Sequence, residues 1–248
     1  PDYWGAKLAV NAGRFNFDEI RYDYYRDDDP MFQAFQKGLV RLWAESDSGR
    51  WARGYDFPSF KDGRVVREEI SIRVPAGMSA LVFNTRREKF ADISVRKALL
   101  HLFDAEWINK QLFHGLYIRT RSFYDRSNLS SYGRAASPYE QKLLSPFAAE
   151  LGARALSGDH GIPTSDGSGR NRDGRKKATA LFKSAGYALK GGKMTNVKTG
   201  AVFSFEIIVA RRDQERLALV YARQLKRSGI EAKVRFVDSS QFESRKRD

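Results

Sequence analysis

Apolar residues recur at helical spacing in several stretches of the chain, with loosely alternating runs between them. The clearest helical pattern follows Asp92. Val95, Leu99, Leu102, Phe103 and Ile108 share one face up to Leu112 and Phe113, Asp92 stands as an N-cap, and Gly115 fits the end. A second helix is expected over residues 213–228, with Leu217, Val220, Tyr221 and Leu225 on one side and Gly229 beyond its end. A third covers 175–185 and closes at Gly186, and a shorter one covers 31–37 and closes at Gly38. Asp27, Asp28 and Asp29 are its N-cap candidates, Pro30 suits its first turn, and Phe32 and Phe35 pack on one face. Residues 138–151 support one helix or two, interrupted at Pro146.

Strands are expected over residues 20–26, 70–74 and 230–237, where apolar and polar positions alternate at least loosely, and over the apolar runs 80–84 and 202–209. Residues 46–69 have no regular period and are broken by Gly49, Gly54, Pro58 and Gly63. Trp51, Tyr55 and Phe57 can pin such a segment to a surface. Residues 115–135 form a polar loop carrying Tyr117, Phe123, Tyr124 and Tyr132, either plugged into its own core or offered to a ligand. Residues 157–174 are rich in turn formers. The last third reads helix, strand, helix, strand, which implies an α/β layer.

An apolar content of 42% with 13% aromatics supports a buried core without staples. The chain has no cysteine, which excludes disulfides, thiolate nucleophiles and cysteine-held metals. No apolar run reaches the length of a membrane span. The net charge of +14 raises nucleic acid as a partner. Its distribution argues against that reading, because residues 1–30 are net acidic and the remaining positive charges are dispersed, apart from short runs such as Arg175-Lys176-Lys177.

Catalytic motifs fail one by one. Gly167-Ser168-Gly169 has no apolar strand leading into it and is neither a phosphate loop nor a nucleophile elbow. His101, His114 and His160 form no metal-ligand pair, and no metal or cofactor is expected. His101 and His114 read as structural, with His114 suited to a helix carboxyl end. No enzyme activity is expected.

The segment Leu81-Val82-Phe83-Asn84-Thr85, followed by Phe90-Ala91-Asp92 and Val95-Arg96-Lys97-Ala98, resembles the signature of family 5 extracellular solute-binding proteins. These are the oligopeptide-, dipeptide- and nickel-binding components of ABC importers. Pro1-Asp2-Tyr3-Trp4-Gly5 and the unit from Ile20 to Gly38 resemble further family blocks. Phe113-His114-Gly115-Leu116-Tyr117, Arg121-Ser122-Phe123-Tyr124 and the run from Ser165 to Arg172 are similar to the microcin- and oligopeptide-binding subgroup. Leu39-Val40-Arg41 departs from the family, where an acidic pair often follows the glycine.

The resemblance implies an α/β, periplasmic binding protein-like type II fold with two lobes, here as an incomplete fragment. Residues 1–75 would be part of lobe one and residues 76–248 most of lobe two. It implies capture of a peptide or peptide-like solute between lobes and delivery to ABC importer permease subunits. It also implies a monomeric intact protein in the periplasm of a Gram-negative bacterium, exported by a signal peptide on the precursor. Asn84 and Arg86 are the first candidates for ligand contact, followed by Tyr117, Arg119, Tyr124 and Asp166. A sugar, opine or nickel complex is an alternative ligand. A basic nucleic-acid-binding domain, a protein-interaction domain and a hydrolase are the rival classes.

Overall fold

A computed structural model describes residues 3–14, 16–25, 28–71, 74–159 and 161–247. Its helices are α1 (Asp28–Gln36), α2 (Ser48–Arg53), α3 (Pro58–Lys61), α4 (Glu88–Ala91), α5 (Ile93–Leu102) and α6 (Ala105–Leu112). They continue with α7 (Pro138–Leu144), α8 (Ala148–Ser157), α9 (Arg172–Ser184), α10 (Arg212–Lys226) and α11 (Ser239–Arg247). The strands are β1 (Tyr187–Lys190), β2 (Lys193–Asn196), β3 (Ser204–Val209) and β4 (Glu231–Phe236). The chain divides into two compact units. One comprises Pro1–Ser46 with Arg53–Glu68, and the other Asp47–Ala52 with Glu69–Asp248.

The first unit is held by aromatic packing. Phe32 and Phe35 of α1 are buried with Phe57, and Val40, Trp43, Tyr55, Phe60 and Val65 pack around them. Phe32 meets Trp43, Tyr55 and Phe57 edge-on, with centroids 5.4–6.0 Å apart, a favoured geometry for ring quadrupoles. Gly38 stops α1 at φ +77°, and Leu39 N–H donates to the Ala34 carbonyl at 3.0 Å, closing the carbonyl end as a glycine cap does. Asp28 and Asp29 lie inside the first turn of α1, where their charge complements the helix dipole. Asp27, the remaining cap candidate, lies outside the described residues.

The second unit is an α/β arrangement built on β3 and β4, which run parallel with Ser204 opposite Glu231 and Val209 opposite Phe236. Parallel neighbours need a crossover, and α10 supplies it. Val95, Ala98, Leu99 and Leu102 of α5 share one core with Ala178 and Phe182 of α9, Ala218, Tyr221 and Leu225 of α10, and Phe203, Ile207 and Val209. Tyr221 is buried there and donates its hydroxyl to the Leu99 carbonyl at 2.8 Å; burial pushes its phenol pKa up.

The family-like segment before α5 acquires physical roles. Asp92 Oδ1 accepts from Ser94 N–H at 2.7 Å, as an N-cap should. Arg96 Nη1 donates to the Phe90 and Ala91 carbonyls, both at 2.7 Å, and so satisfies the end of α4. Asp92→Ala is therefore expected to cost ~1 kcal/mol of stability, measured by urea unfolding. Asp92→Asn should recover most of that loss, and an unchanged midpoint for Asp92→Ala would remove the cap from the account.

Several sequence expectations need correction. Residues 20–25 and 80–84 are not strands, because a strand needs a hydrogen-bonded neighbour and none pairs with them among the described residues. Tyr22, Tyr24 and Val82 are exposed in consequence. Ile70, Ser71 and Val74 are not in a strand either; Arg26, Ile72 and Arg73 of the expected strands lie outside the described residues. The irregular segment 46–69 contains the short helices α2 and α3. The single helix expected after Asp92 is two, because Asp104 ends the run and caps α6 through Trp107 N–H at 3.1 Å. The antiparallel pair β1–β2 was not expected. Its signal was Gly191-Gly192, both at positive φ (54° and 75°), as a tight hairpin turn requires. α11 was likewise unforeseen.

Candidate functional site

The start of α6 organises a polar region in the second unit. Asp104 is almost fully buried at 1% exposure. Its Oδ1 accepts from Trp107 N–H and from Ser165 Oγ, the latter at 2.5 Å. Glu106 Oε2 accepts from Ser165 N–H at 2.9 Å. Two carboxylates on one helical turn therefore hold one residue of the 163–171 loop by backbone and side chain together. Ser165 Oγ in turn accepts from Gly167 N–H at 3.1 Å. Gly169 sits at φ +76°, so close that a Cβ would fall 2.6 Å from Trp107 Nε1; only glycine allows this approach.

Arg119 joins the same region. Its Nη1 donates to the Pro163 carbonyl at 2.5 Å, and its guanidinium lies 5.9 Å from the Phe103 ring centroid. Burial pushes its pKa down, Glu106 pulls it back up, and Arg121 pushes it down again. Asp166 is exposed on the loop so held, and its carboxylate accepts from Ser168 N–H at 3.0 Å. Hydrogen bonds from the Ser168 backbone and hydroxyl hold its pKa below the usual value. Tyr117 is clamped by Asn109, which donates to its carbonyl at 2.7 Å and accepts from its N–H at 3.1 Å. Its ring stacks on Phe113 with centroids 4.4 Å apart, leaving it partly exposed.

The other candidates stand elsewhere in the unit. Tyr124 is exposed at φ +57°, and its carbonyl accepts from Ser127 Oγ at 2.6 Å. Its loop is braced by the Ser122–Ser130 hydroxyl pair at 2.6 Å and by Arg121 on the Tyr132 hydroxyl at 2.6 Å. Asn84 Oδ1 accepts from Arg86 N–H at 3.1 Å and Arg86 Nε at 3.2 Å. Asn84 is thus occupied by its own turn. Arg86 is oriented through Nε, and among the described residues its terminal Nη groups have no hydrogen-bond partner.

Sequence reasoning missed Asp104, Glu106, Asn109 and Ser165. Asp104 was open to detection, since Asp-Ala-Glu after an apolar helical run is a helix start. Asn109 and Ser165 offered no such signal, because their roles depend on distant backbone. His114 adopts φ +54° beyond α6, while Asn109 O accepts from Phe113 and Gly115 N–H, so backbone closes that end. His160 lies outside the described residues. Among the described residues, no group of three His, Asp or Glu side chains is placed to hold a metal ion.

Solved structures define the class first: the fold is that of the two-lobed, type II periplasmic-binding-protein-like proteins. The oligopeptide-binding protein AppA of Bacillus subtilis, in complex with a nonapeptide, matches 88% of this chain and 36% of its own with a TM-score of 0.52 at 19% identity. The chain belongs to the bacterial extracellular solute-binding proteins, family 5, whose middle segment it matches over residues 1–248. A Brucella melitensis protein with a provisional binding-protein name is 43% identical over 245 residues, 99% of this chain and 40% of that protein. The peptidoglycan-binding protein YepA of Agrobacterium fabrum is 39% identical over 252 residues, covering 99% of this chain and 41% of its own. The chain thus spans about 40% of the length of these relatives.

Proposed function

We propose that this chain is part of the ligand-binding component of an ABC importer. The whole protein captures peptides or peptide-like solutes between two lobes in the periplasm of a Gram-negative cell. It then delivers them to the membrane permease without chemical change. The observation that carries this reading is the family match along all 248 residues. The relatives' names support the ligand class: one is called peptidoglycan-binding, and another from Agrobacterium fabrum, 38% identical, a probable peptide-binding protein. In this reading residues 1–75 and 76–248 belong to different lobes; the chain divides into two compact units near that boundary, after Glu68, with Asp47–Ala52 joining the second unit.

In this reading Arg86 recognises a ligand carboxylate. Its Nε is held by Asn84 Oδ1 and its Nη groups remain for a second partner, the arrangement that suits charge-assisted bonding. Tyr117, Arg119, Tyr124 and Asp166 are further ligand contacts. Tyr117 and Tyr124 present partly exposed rings, and Arg119 and Asp166 belong to the region organised by α6.

Native mass spectrometry of the freshly purified intact protein, followed by calorimetry with the released compounds, tests the reading. Co-purified peptides or peptide-like compounds recovered uncut are expected. Tight binding of a sugar or metal complex with no response to any peptide pool would reject it. Arg86→Ala should weaken peptide binding by about tenfold or more, the scale of a lost charged hydrogen bond. Equal affinity in the variant would return Arg86 to the solvated surface.

A further inference from the structure

Three buried polar atoms have no hydrogen-bond partner among the described residues: Asp104 Oδ2, Arg175 Nε and Gln224 Nε2. They belong to three elements, the α5–α6 junction, α9 and α10, yet all three residues line one small crevice. The remaining groups of two of them are engaged, which fixes how they face it. Asp104 Oδ1 is taken by Trp107 N–H and Ser165 Oγ. Gln224 Oε1 accepts from Asp104 N–H at 3.3 Å, which assigns its amide nitrogen to the other side. Native interiors leave few such groups unpaired, and each needs an explanation.

The chemistry of the three atoms selects the occupant. One is a carboxylate acceptor and two are N–H donors. A cation would face the Arg175 guanidinium. An anion would face the Asp104 carboxylate, whose like charge repels it. Water donates to Oδ2 and accepts from both nitrogens, and about three hydrogen bonds are usual for a buried water. The crevice offers about 10 Å³ to the centre of a water molecule, close to the minimum that admits one.

We infer that Asp104, Arg175 and Gln224 form a binding site for one ordered water that ties the start of α6 to α9 and α10. Asp104 then holds Ser165 on one oxygen and the water on the other, so the water positions the 163–171 loop. Arg227 Nη1, also lining the crevice, adds a direct bond to the Gly169 carbonyl at 2.8 Å. This inference goes beyond the ligand reading and holds whatever solute the protein carries.

A crystal structure of the intact protein, at a resolution that orders waters, is the direct test. One water within hydrogen-bond distance of all three atoms is expected. An empty crevice, a direct Arg175–Asp104 contact through Nε and Oδ2, or an ion in that place would overturn the inference. Asp104→Asn probes it by inverting one polarity while keeping the shape. The new amide would turn the acceptor facing the crevice into a third donor, and a water has only two lone pairs to offer. Flipping the amide would aim its NH₂ at Trp107 N–H. The variant should lose the water, and amide hydrogen exchange at Trp107 and Gly167 should accelerate by about tenfold. A variant that keeps the water with unchanged exchange contradicts the assignment. Should the variant fail to fold, the wild-type crystal structure decides alone.

Discussion

Phe182→Ala is expected to destabilise the protein by about 3–5 kcal/mol, the range for removing a buried aromatic ring. Phe182 is 1% exposed on the inner face of α9. Its ring meets Phe203 edge-on at 5.3 Å and Tyr187 at 5.9 Å, so truncation removes ring–ring contacts as well as buried apolar area. The hole would open where α9, α5 and the sheet converge, and three elements cannot all move in to fill it. Urea unfolding of the intact protein measures the loss. Phe123→Ala is the control: that ring is 78% exposed, and its removal should change stability by less than about 0.5 kcal/mol. Equal effects for the two variants would sink this account of the core.

Gly174→Ala should be destabilising, by about 1–3 kcal/mol, although the same change inside an exposed helix normally gains up to about 1 kcal/mol. Gly174 lies in the first turn of α9, buried. A Cβ there would fall 2.5 Å from the His101 carbonyl oxygen and also collide with Asn171 Oδ1. The His101 carbonyl cannot easily retreat, because it lies in the last turn of α5 and accepts from Asn171 Nδ2 at 2.9 Å. The helices approach at the glycine because it has no side chain. Thermal unfolding reads the sign directly, and a raised midpoint for Gly174→Ala would show that the α5–α9 approach is looser than described. Gly186→Ala makes a useful comparison, since its site is open but its φ of +81° is unfavourable to any L side chain.

Much of the fold was legible in local patterns. The apolar face of α10, the helix α9 closed by Gly186, and the strands β3 and β4 were read close to their observed limits, because burial on one side imposes a period that neighbours cannot disguise. The break between α5 and α6 was missed, although Asp104 before Ala105 and Glu106 marks it. Apolar residues continue through Phe103 and Ile108 at nearly helical spacing, so the period hides the point where Asp104 stops one helix and caps the next. The segments 20–26 and 80–84 failed for another reason. Loose alternation in the first and an apolar run in the second record a capacity to pair, and pairing depends on a neighbouring edge that no local pattern contains.

The candidate site divides in the same way. Asn84 and Arg86 are two residues apart, and their mutual hydrogen bonds are a local consequence of the turn. Residue type alone could nominate Arg119 and Asp166, but not what holds them. By itself the amino-acid sequence determined the helix start at Asp92, the glycine stops at Gly38, Gly186 and Gly229, the α/β character of the last third and the family to which the blocks belong. Only the tertiary structure decided that Asp104 meets Ser165 across 61 positions, that Arg119 meets Pro163 across 44, and that Asp104, Arg175 and Gln224 face one crevice. Caps and turns close within a few residues, so short-range chemistry specifies them. Contacts across the core exist only after the apolar faces have packed, and the packing of those faces selects which polar side chains are brought together.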